Sequence, residues 1–476
     1  MTLVLMSLLL LTYGCSLMVR GGLTITNKIR YSGLFHRGRH GPLSEKEEQW
    51  AKIAWTYFSN NYQPATGMVN SVESYPYATM GHLAAYLAAL VSAYELDIID
   101  CNHFCIRLTK LLETLNTLKL FQEKLPNIIY NTETGQPFNF SNQQAEVGWS
   151  AIDLGRLLIW LRIIKENYPN YAESIDKFVL RWDFNDIVDD EGVLYGGQLN
   201  DNILIKFQEG RMGWEEYAAK GFQLWGFKTA EASKREFISK KIYGLEIPYD
   251  ARDPRITKTH VYIMMDSYIL DGLEFNWDLA LDNDSKDVCH TDTLSADFAA
   301  RYYCIQHRRF LNTGIATART AHQLDCQPYY VFDTILTDSY AWDTVDDAGN
   351  NFRDKANIST RAAMGMWVLW KTDYTDYLCK LITCCLFDLE KGWYEGKYET
   401  TGGINKAITI DTNSMFLELL FYKVYGKILK LNNRNTYLDY YLRDHVYEGR
   451  LKGWPEDQLG NNRIMKGQGN DCNFQK

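Results

Sequence analysis

The segment around Glu209 combines residue types that could transfer a proton. It reads Gln208-Glu-Gly-Arg-Met-Gly-Trp, and a helical pattern begins near Trp214. A carboxyl group flanked by glycine at a loop-to-helix junction can be both exposed and rigidly oriented, and an aromatic neighbour can raise its pKa toward that of a general acid. Glu209 is therefore the first candidate catalytic residue. Glu215 and Glu216 fall in the first helical turn, where the macrodipole favours carboxylates for structural reasons.

A second candidate acid lies in the segment 148–156, Gly-Trp-Ser-Ala-Ile-Asp-Leu-Gly-Arg. Asp153 and Arg156 are three residues apart and would share one face of a helix. This spacing is equally typical of an ordinary helix ion pair, so both interpretations stay open. We interpret Asp153, or Asp333 in a third acid- and aromatic-rich segment, as the catalytic partner of Glu209.

Two further segments mix acids with aromatic residues, one from Tyr329 to Asp343 and the other from Gly392 to Asn413. Glycosidic bond cleavage uses this combination. One carboxyl group protonates the leaving oxygen, a second activates water or attacks the sugar, and aromatic faces stack on the pyranose ring. The residues that we expect to bind sugar are Trp149, Arg156, Arg211, Trp214, Tyr217, Trp342, Trp393, Glu399 and Asn413.

Competing kinds of chemistry have no matching pattern. The sequence contains no glycine-rich phosphate loop, no G-x-S-x-G turn and no Cys/His cluster typical of a zinc site, so we predict neither a metal nor another cofactor. The net charge of −9 is spread along the chain, whereas a nucleic-acid partner would require clustered Lys and Arg. Aromatic residues form 14% of the chain, which suits a surface for polysaccharide or oligosaccharide; the alternative is that they fill a large core.

These candidate residues must be positioned by helices, because helical periodicity dominates the chain. Ten segments show it, at 45–58, 79–96, 102–118, 150–167, 172–182, 215–225, 295–313, 359–370, 373–387 and 412–425. Four of them begin near Thr79, Ser150, Ser359 and Thr412 with small residues in their first turns, and small residues let helices approach closely. We therefore predict an all-α protein, an (α/α)6-type toroid with these four helices inside.

The segments between the predicted helices are long. Loops of such length are uncommon unless they are functional, so we expect them to form a cleft at one rim of the toroid. Nothing along the chain resembles a linker, which favours one domain at 44–430 with a C-terminal extension at 431–476 packed on it. A two-layer helical bundle with incidental loops is the alternative architecture.

The N-terminus resembles an export signal. Leu3 to Leu11 form an apolar run, and Thr-Tyr-Gly-Cys follows at 12–15, similar to the site at which bacterial lipoprotein precursors are cleaved. We expect 1–22 to be a signal peptide or lipoprotein anchor and Cys15 to carry the lipid. The protein would then be exported and membrane-anchored, facing the periplasm or the cell exterior. Arg20 and Lys28 favour the alternative of an uncleaved anchor.

Six motifs follow one another along the chain. They are Thr66-Gly-Met-Val-Asn-Ser-Val, Gly148-Trp-Ser-Ala-Ile-Asp-Leu-Gly-Arg, Glu209-Gly-Arg-Met-Gly-Trp-Glu-Glu-Tyr-Ala-Ala, Ile247-Pro-Tyr-Asp-Ala-Arg-Asp, Gly392-Trp-Tyr-Glu-Gly-Lys-Tyr-Glu and Asp411-Thr-Asn. Through them the sequence resembles the bacterial domain-of-unknown-function family 3131, which implies a glucoamylase-like α/α toroid. Gly81-His82 departs from the Trp-Asp that the family pattern has at this helix start, and this departure implies altered or lost substrate handling if that Asp lines the cleft.

The sequence thus predicts a glycoside hydrolase or transglycosylase that acts on a bacterial glucan or exopolysaccharide by carboxylate acid/base chemistry. The alternative from another class is a non-catalytic glycan-binding lipoprotein that assists polysaccharide export. Both would use the same aromatic residues. Only the enzyme requires two carboxyl groups facing each other across the cleft, at roughly 5–10 Å.

Overall fold

The computed structural model describes residues 38–201, 203–257, 260–281, 293–338 and 340–431. The predicted anchor at 1–22 with Cys15, and the extension from 432 onward, lie outside the described residues. The described part contains twelve α-helices: α1 (Glu45–Asn60), α2 (Met80–Glu95), α3 (Cys101–Thr117), α4 (Ala151–Asn167), α5 (Ala172–Leu180), α6 (Trp214–Leu224), α7 (Pro254–Thr257), α8 (Asp266–Phe275), α9 (Thr293–Thr313), α10 (Thr360–Leu369), α11 (Asp373–Thr383) and α12 (Ile410–Tyr425).

Hydroxyl-bearing residues cap the four helices that the sequence pattern places inside the toroid. The side chains of Thr79, Ser150, Ser359 and Thr409 each accept a hydrogen bond from the backbone N–H three residues later. Such caps satisfy a donor that the helix itself leaves unpaired. The last of these helices begins at Ile410, slightly earlier than predicted.

Six helices form a closed inner ring. α2, α4, α6, α8, α10 and α12 pack against one another in this order, and α12 returns to pack on α2. Small residues make the closest approach possible: a methyl group at Gly155 would lie 2.7 Å from the Cβ of Ala218, and one at Gly221 would lie 2.0 Å from the carbonyl oxygen of Gly155. Helices α1, α3, α5, α9 and α11 pack on the outside of the ring.

Helix α8 belongs to the inner ring although no periodicity predicts it. All ten of its residues are buried, including Asp266, Asp271 and Glu274. A helix that is enclosed on every side and carries buried acids lacks an apolar stripe, so its sequence does not have the alternation on which prediction depends.

The expectation of an all-α protein is wrong in one respect, because short antiparallel strands connect the helices. They are β1 (Tyr77–Thr79), β2 (Leu120–Phe121), β3 (Leu125–Pro126), β4 (Ile129–Asn131), β5 (Pro137–Phe138), β6 (Gly148–Trp149), β7 (Tyr195–Asn200), β8 (Ile203–Gln208), β9 (Phe237–Ile242), β10 (Leu245–Asp250), β11 (Tyr262–Ile263), β12 (Ala321–Gln323), β13 (Tyr330–Asp333), β14 (Leu336–Thr337), β15 (Tyr340–Ala341), β16 (Thr344–Val345), β17 (Asn357–Ser359), β18 (Phe387–Asp388), β19 (Gly392–Tyr398) and β20 (Ile404–Ile408).

These strands pair in small sheets, among them β6-β7-β8, β12-β13-β16, β11-β14-β15 and β17-β19-β20. Strands β1, β6, β17 and β20 lead into the inner helices α2, α4, α10 and α12. The long predicted loops are therefore largely ordered by strand pairing, which fixes the backbone at the N-terminal ends of the ring. Among the described helices, none is long and apolar enough to cross a membrane.

Candidate active site

A cavity of about 590 Å³ opens where the inner helices begin. Every inner helix contributes a residue from its first turns, namely His82, Asp153, Trp214, Asp266, Arg361 and Asp411. The remaining walls come from the strands and loops that precede these helices. Helix N-termini favour negative charge, which explains why carboxylates can gather here.

Glu209 lies in this cavity and binds the N-terminus of α4. The hydroxyl of Ser150 donates to Glu209 Oε1 at 2.7 Å, and the backbone N–H of Ala151 donates to Oε2. Burial raises the pKa of Glu209 to about 7 against the hydrogen bond from Ser150, and the nearby carboxylate of Asp153 adds to the increase. The Glu209 side chain is therefore partly protonated near neutral pH.

Arg211 also lines the cavity but does not pair with Glu209. Its guanidinium donates to Asp250 Oδ2 at 3.0 Å and to the backbone oxygen of Arg252 at 2.7 Å. Gly210 between them has a φ of +86°, a conformation that favours glycine. The turn at Gly210 thus directs the two neighbouring side chains to different partners.

Asp153 lines the cavity from the first turn of α4. Its carboxylate makes no hydrogen bond or ion pair with any described residue. Helix α2 approaches it at Gly81, where an added methyl group would lie 2.5 Å from Asp153 Oδ1. The departure at Gly81 that the sequence shows therefore provides the space that the Asp153 carboxylate occupies.

Asp411 is surrounded by three basic side chains, none of them near it in sequence. His82 Nε2 and Arg156 lie 3.6 Å from its carboxylate, and Arg361 lies 3.3 Å away. Although burial opposes ionisation, His82, Arg361 and Arg156 hold the pKa of Asp411 well below its usual range. Arg156 thus pairs across the ring with Asp411, and the possible helix ion pair with Asp153 is not formed.

His82 is held in one tautomer by its helix cap. The backbone N–H of Thr79 donates to His82 Nδ1 at 3.1 Å, so the hydrogen of the neutral ring is on Nε2, facing Asp411. His82, which stands where the family pattern has Asp, therefore directs a ring N–H toward the Asp411 carboxylate.

Aromatic rings form part of the cavity wall. Tyr262 stacks on Phe332 with ring centroids 4.3 Å apart, and Tyr330 packs edge-on against Phe332. Trp214 and the exposed Phe140 contribute further apolar surface. Flat apolar faces beside carboxylates are suited to binding sugar rings.

Asp333 lies outside the cavity, in an enclosed cluster. Its oxygens accept from Arg319 at 2.9 Å and from the backbone N–H of Asn357 at 2.6 Å, and its side chain is fully buried. Burial raises the pKa of Asp333 despite the ion pair with Arg319. Glu399 belongs to the same cluster and accepts from Arg309 and Arg319 at 2.8 Å. Asp333 is therefore not positioned to act as the catalytic partner of Glu209, and Glu399 is not positioned to bind a sugar in the cavity. Both interpretations from the sequence are corrected by these positions.

Five more of the predicted sugar-binding residues also lie outside the cavity lining, namely Trp149, Tyr217, Trp342, Trp393 and Asn413. Trp149, Tyr217, Trp393 and Asn413 are buried. Their polar atoms bind the protein: the indoles of Trp149 and Trp393 donate to the backbone, Tyr217 donates to Glu274, and Asn413 accepts from the backbone N–H of Trp393. Trp342 is partly exposed and lies under the guanidinium of Arg309. Of the predicted set, Glu209, Asp153, Arg156, Arg211 and Trp214 line the cavity.

Several cavity residues were not among the candidates, including His82, Asp266, His322, Arg361 and Glu395. Glu395 and Asp411 do fall within the motifs at 392–399 and 411–413, so the motifs themselves were the signal that could have indicated them. His322 is buried, which lowers its pKa to about 4, and its two ring nitrogens contact the backbone oxygen of Thr320 and the side chain of Asn357. Within the described residues, no group of three His, Cys, Asp or Glu side chains is arranged to hold a metal ion.

The fold is similar to that of solved proteins. A candidate glucoamylase from Bacteroides caccae matches with a TM-score of 0.57 and 14% identity, over 80% of this chain and 94% of that one. An endo-β-1,2-glucanase from Chitinophaga pinensis, solved with sophorotriose and glucose, matches with a TM-score of 0.56 and 14% identity, over 81% of this chain and 94% of that one. At this identity the similarity establishes the class of fold, a glucoamylase-like toroid.

The chain belongs to the family described as "Protein of unknown function (DUF3131)", whose model matches residues 49–426. This confirms the resemblance that the six sequence motifs carry. No curated protein matches the chain. The function therefore has to be argued from the site itself, because one fold can support several activities.

Proposed function

We propose that the chain is a glycoside hydrolase or transglycosylase that acts on a glucan or exopolysaccharide, with Glu209 as the general acid. The observation that carries this proposal is the difference in pKa between two carboxyl groups that line one cavity. Burial raises the pKa of Glu209 to about 7, whereas Asp411 is held ionised by the basic groups around it. A proton donor beside ionised carboxylates is the arrangement that glycosidic bond cleavage uses.

In this proposal Glu209 donates its proton to the leaving glycosidic oxygen. Asp153 is its partner, because a carboxylate without a hydrogen bond or ion pair to the described residues is available to bind water or attack the sugar. Asp411, held by His82 and two arginines, would accept hydrogen bonds from sugar hydroxyls. Trp214 would provide an aromatic surface for the sugar ring.

The first substrate to test is β-1,2-glucan, because one solved structure of similar fold is an endo-β-1,2-glucanase. Export also belongs to the proposal: Cys15 would be the lipidated first residue of a membrane-anchored protein. Mass spectrometry of the protein from its host membranes tests this point, and an intact Met1 would support the uncleaved anchor instead.

The activity test compares wild-type protein with Glu209→Gln on a panel of bacterial glucans, with products followed by reducing-end release and mass spectrometry. The amide can still accept from Ser150 but has no transferable proton. We expect turnover to fall on the order of 10²–10⁴-fold with glycan binding retained. Unchanged turnover would exclude Glu209 as the acid.

One observation favours the second candidate, a non-catalytic glycan-binding lipoprotein. Both oxygens of Glu209 already accept hydrogen bonds at the start of α4, which is also the arrangement of a purely structural cap. In that case Glu209→Gln would lower the melting temperature and glycan affinity together, and the wild-type protein would bind glycans from the panel without releasing products.

A further inference from the structure

The cavity contains more acids than cations. Among the described residues, six carboxyl groups line it, from Asp153, Glu209, Asp266, Asp347, Glu395 and Asp411, against three arginines, Arg156, Arg211 and Arg361. No lysine belongs to this described lining. A ligand that enters the cavity therefore meets an excess of hydrogen-bond acceptors, even though Glu209 is partly protonated near neutral pH.

The three arginines are already engaged by carboxylates of the protein. Arg361 lies 3.0 Å from Asp266 and 3.3 Å from Asp411. Arg211 pairs with Asp250 at 3.0 Å. Their charges are therefore balanced before any ligand binds.

Arg156, the third arginine of the cavity lining, also lies beside acidic side chains. It lies between Asp411, at 3.6 Å, and Glu418, at 3.9 Å. Its side chain is only 9% exposed. An anionic substituent on a ligand would have to compete with the ionised Asp411 for the guanidinium, whereas burial raises the pKa of Glu418 well above its ordinary value.

Glu395 provides an independent observation that points to a ligand. It lines the cavity and is fully buried, and its Oε1 accepts hydrogen bonds from the hydroxyls of Thr409 and Thr412. Its other oxygen, Oε2, is buried without a hydrogen-bond partner among the described residues. An unpaired buried carboxylate oxygen is unfavourable, so a ligand that donates a hydrogen bond to it would be stabilised.

The helix N-termini are the other source of positive potential, and three of them already have an internal hydrogen-bond acceptor. The first turn of α4 is bound by Glu209 and Ser150, and that of α12 is capped by Thr409. In α6 the N–H of Gly213 donates to the carboxylate of Glu216. Three of the helix starts around the cavity are thus partly satisfied internally, whereas the buried Nε of Arg156 has no hydrogen-bond partner among the described residues.

From this geometry we propose that the cavity selects glycans whose substituents donate hydrogen bonds, as hydroxyl or ammonium groups do, and rejects uronate, sulfate and phosphate groups. Glu395 is the specificity residue that accepts from the ligand. The inference rests on the proposed function and extends it to the class of substrate.

The experiment uses ligands of identical linkage that differ in charge. Gluco-oligosaccharides with β-1,2, β-1,3, β-1,4 and α-1,4 linkages are prepared in three forms: unmodified, oxidised at C6 to the carboxylate, and converted at C6 to the amine. Calorimetry with the Glu209→Gln protein, and competition assays with the wild-type protein, measure binding without relying on turnover. For the linkage that binds, we expect at least about tenfold weaker affinity for the oxidised form at low salt, with a smaller ratio at high salt.

Two variants connect this selectivity to Glu395. Glu395→Gln can keep the hydrogen bonds from Thr409 and Thr412 but replaces the free acceptor with an amide, so affinity for the unmodified form should fall about tenfold and discrimination against the oxidised form should shrink. Glu246→Gln is the matched control, because it removes the same charge from an exposed residue outside the cavity lining, and it should change neither value.

Different outcomes would overturn the proposed selectivity and the proposed function. Equal or tighter binding of the oxidised form, or an unaltered charge preference in folded Glu395→Gln protein, overturns the selectivity while leaving a glycan-binding function in place. Binding of none of the three forms at any linkage overturns the proposed function as well. A preference for the amine over the unmodified form identifies ammonium as the donor, and the reverse identifies hydroxyl.

Discussion

Two groups of charged residues in this protein each combine two arginines with an aspartate and differ in exposure. The enclosed cluster consists of Arg309, Arg319, Asp333 and Glu399, and the cavity cluster consists of His82, Arg156, Arg361 and Asp411. In the enclosed cluster the Arg319 side chain is 1% exposed and donates to both acids at 2.8–2.9 Å. In the cavity cluster the contacts of Asp411 are 3.3–3.6 Å, and its side chain is 30% exposed.

The difference teaches that pairing and access, more than residue type, distinguish an acid that holds the fold from one that can meet a substrate. Burial costs a charge several kcal/mol unless ion pairs and hydrogen bonds compensate, and the enclosed cluster provides both. The cavity leaves Asp153 and one oxygen of Glu395 without hydrogen-bond or ion-pair partners among the described residues. We therefore expect substitutions in the two regions to have different consequences.

The largest contrast should appear when one carboxylate in each region becomes an amide. Asp333→Asn leaves Arg319 with one acid fewer inside the protein, so the free energy of unfolding should fall by about 3–5 kcal/mol. Asp153→Asn should lower glycan turnover by about 10²-fold or more while changing the free energy of unfolding by less than about 1 kcal/mol. Urea denaturation of both variants measures the change in the free energy of unfolding, and glucan assays measure the change in turnover. A large loss of stability in Asp153→Asn, or normal stability in Asp333→Asn, would contradict the distinction.

The pH dependence of turnover, and part of that of stability, should follow the protonation of Glu209. Because the general acid must be protonated, turnover should fall about tenfold per pH unit above about 7. The folded pKa lies above the ordinary value of 4.5, so the native state binds the proton more tightly, and this residue lowers stability as pH rises from about 4.5 to about 7. Glu209→Gln should remove this part of the stability profile. If turnover in wild-type protein is flat from pH 6 to 9, another group is the acid.

The smallest effect should come from Gly81→Ala. A methyl group there would lie 2.5 Å from Asp153 Oδ1, so the carboxylate must shift, and turnover should fall roughly tenfold because catalytic groups depend on precise placement. Unfolding should change little, since the higher helix propensity of alanine, worth about 1 kcal/mol, offsets the local strain. Gly221→Ala is a contrasting control: its methyl group would meet backbone of α4 at 2.0 Å, and it should destabilise the protein severely.

Much of the fold could be predicted from the sequence. Caps at Thr79, Ser150 and Ser359 and the small residues beside them indicate helices that start sharply and pack closely, and these helices do lie in the inner ring. Helix α8 could not be predicted, because its complete burial removes the amphipathic pattern. The strands escaped prediction since most have two or three residues, too few to show an alternating pattern, and some, such as β1, β6 and β11, pair with segments about 50 or more residues away.

For the site, the sequence by itself determined which local segments carry acids at helix starts, and it thereby indicated Glu209 and Asp153. It could not distinguish Asp333 from Asp411, because each is an acid in an aromatic-rich segment. Only the tertiary structure decided this: Arg319 and Asn357 enclose Asp333, whereas Asp411 meets Arg156 and Arg361 at the edge of a cavity. The physical reason is that local sequence sets the helix face and cap of a residue, while its charge partners and its access to solvent come from other elements that the fold brings beside it.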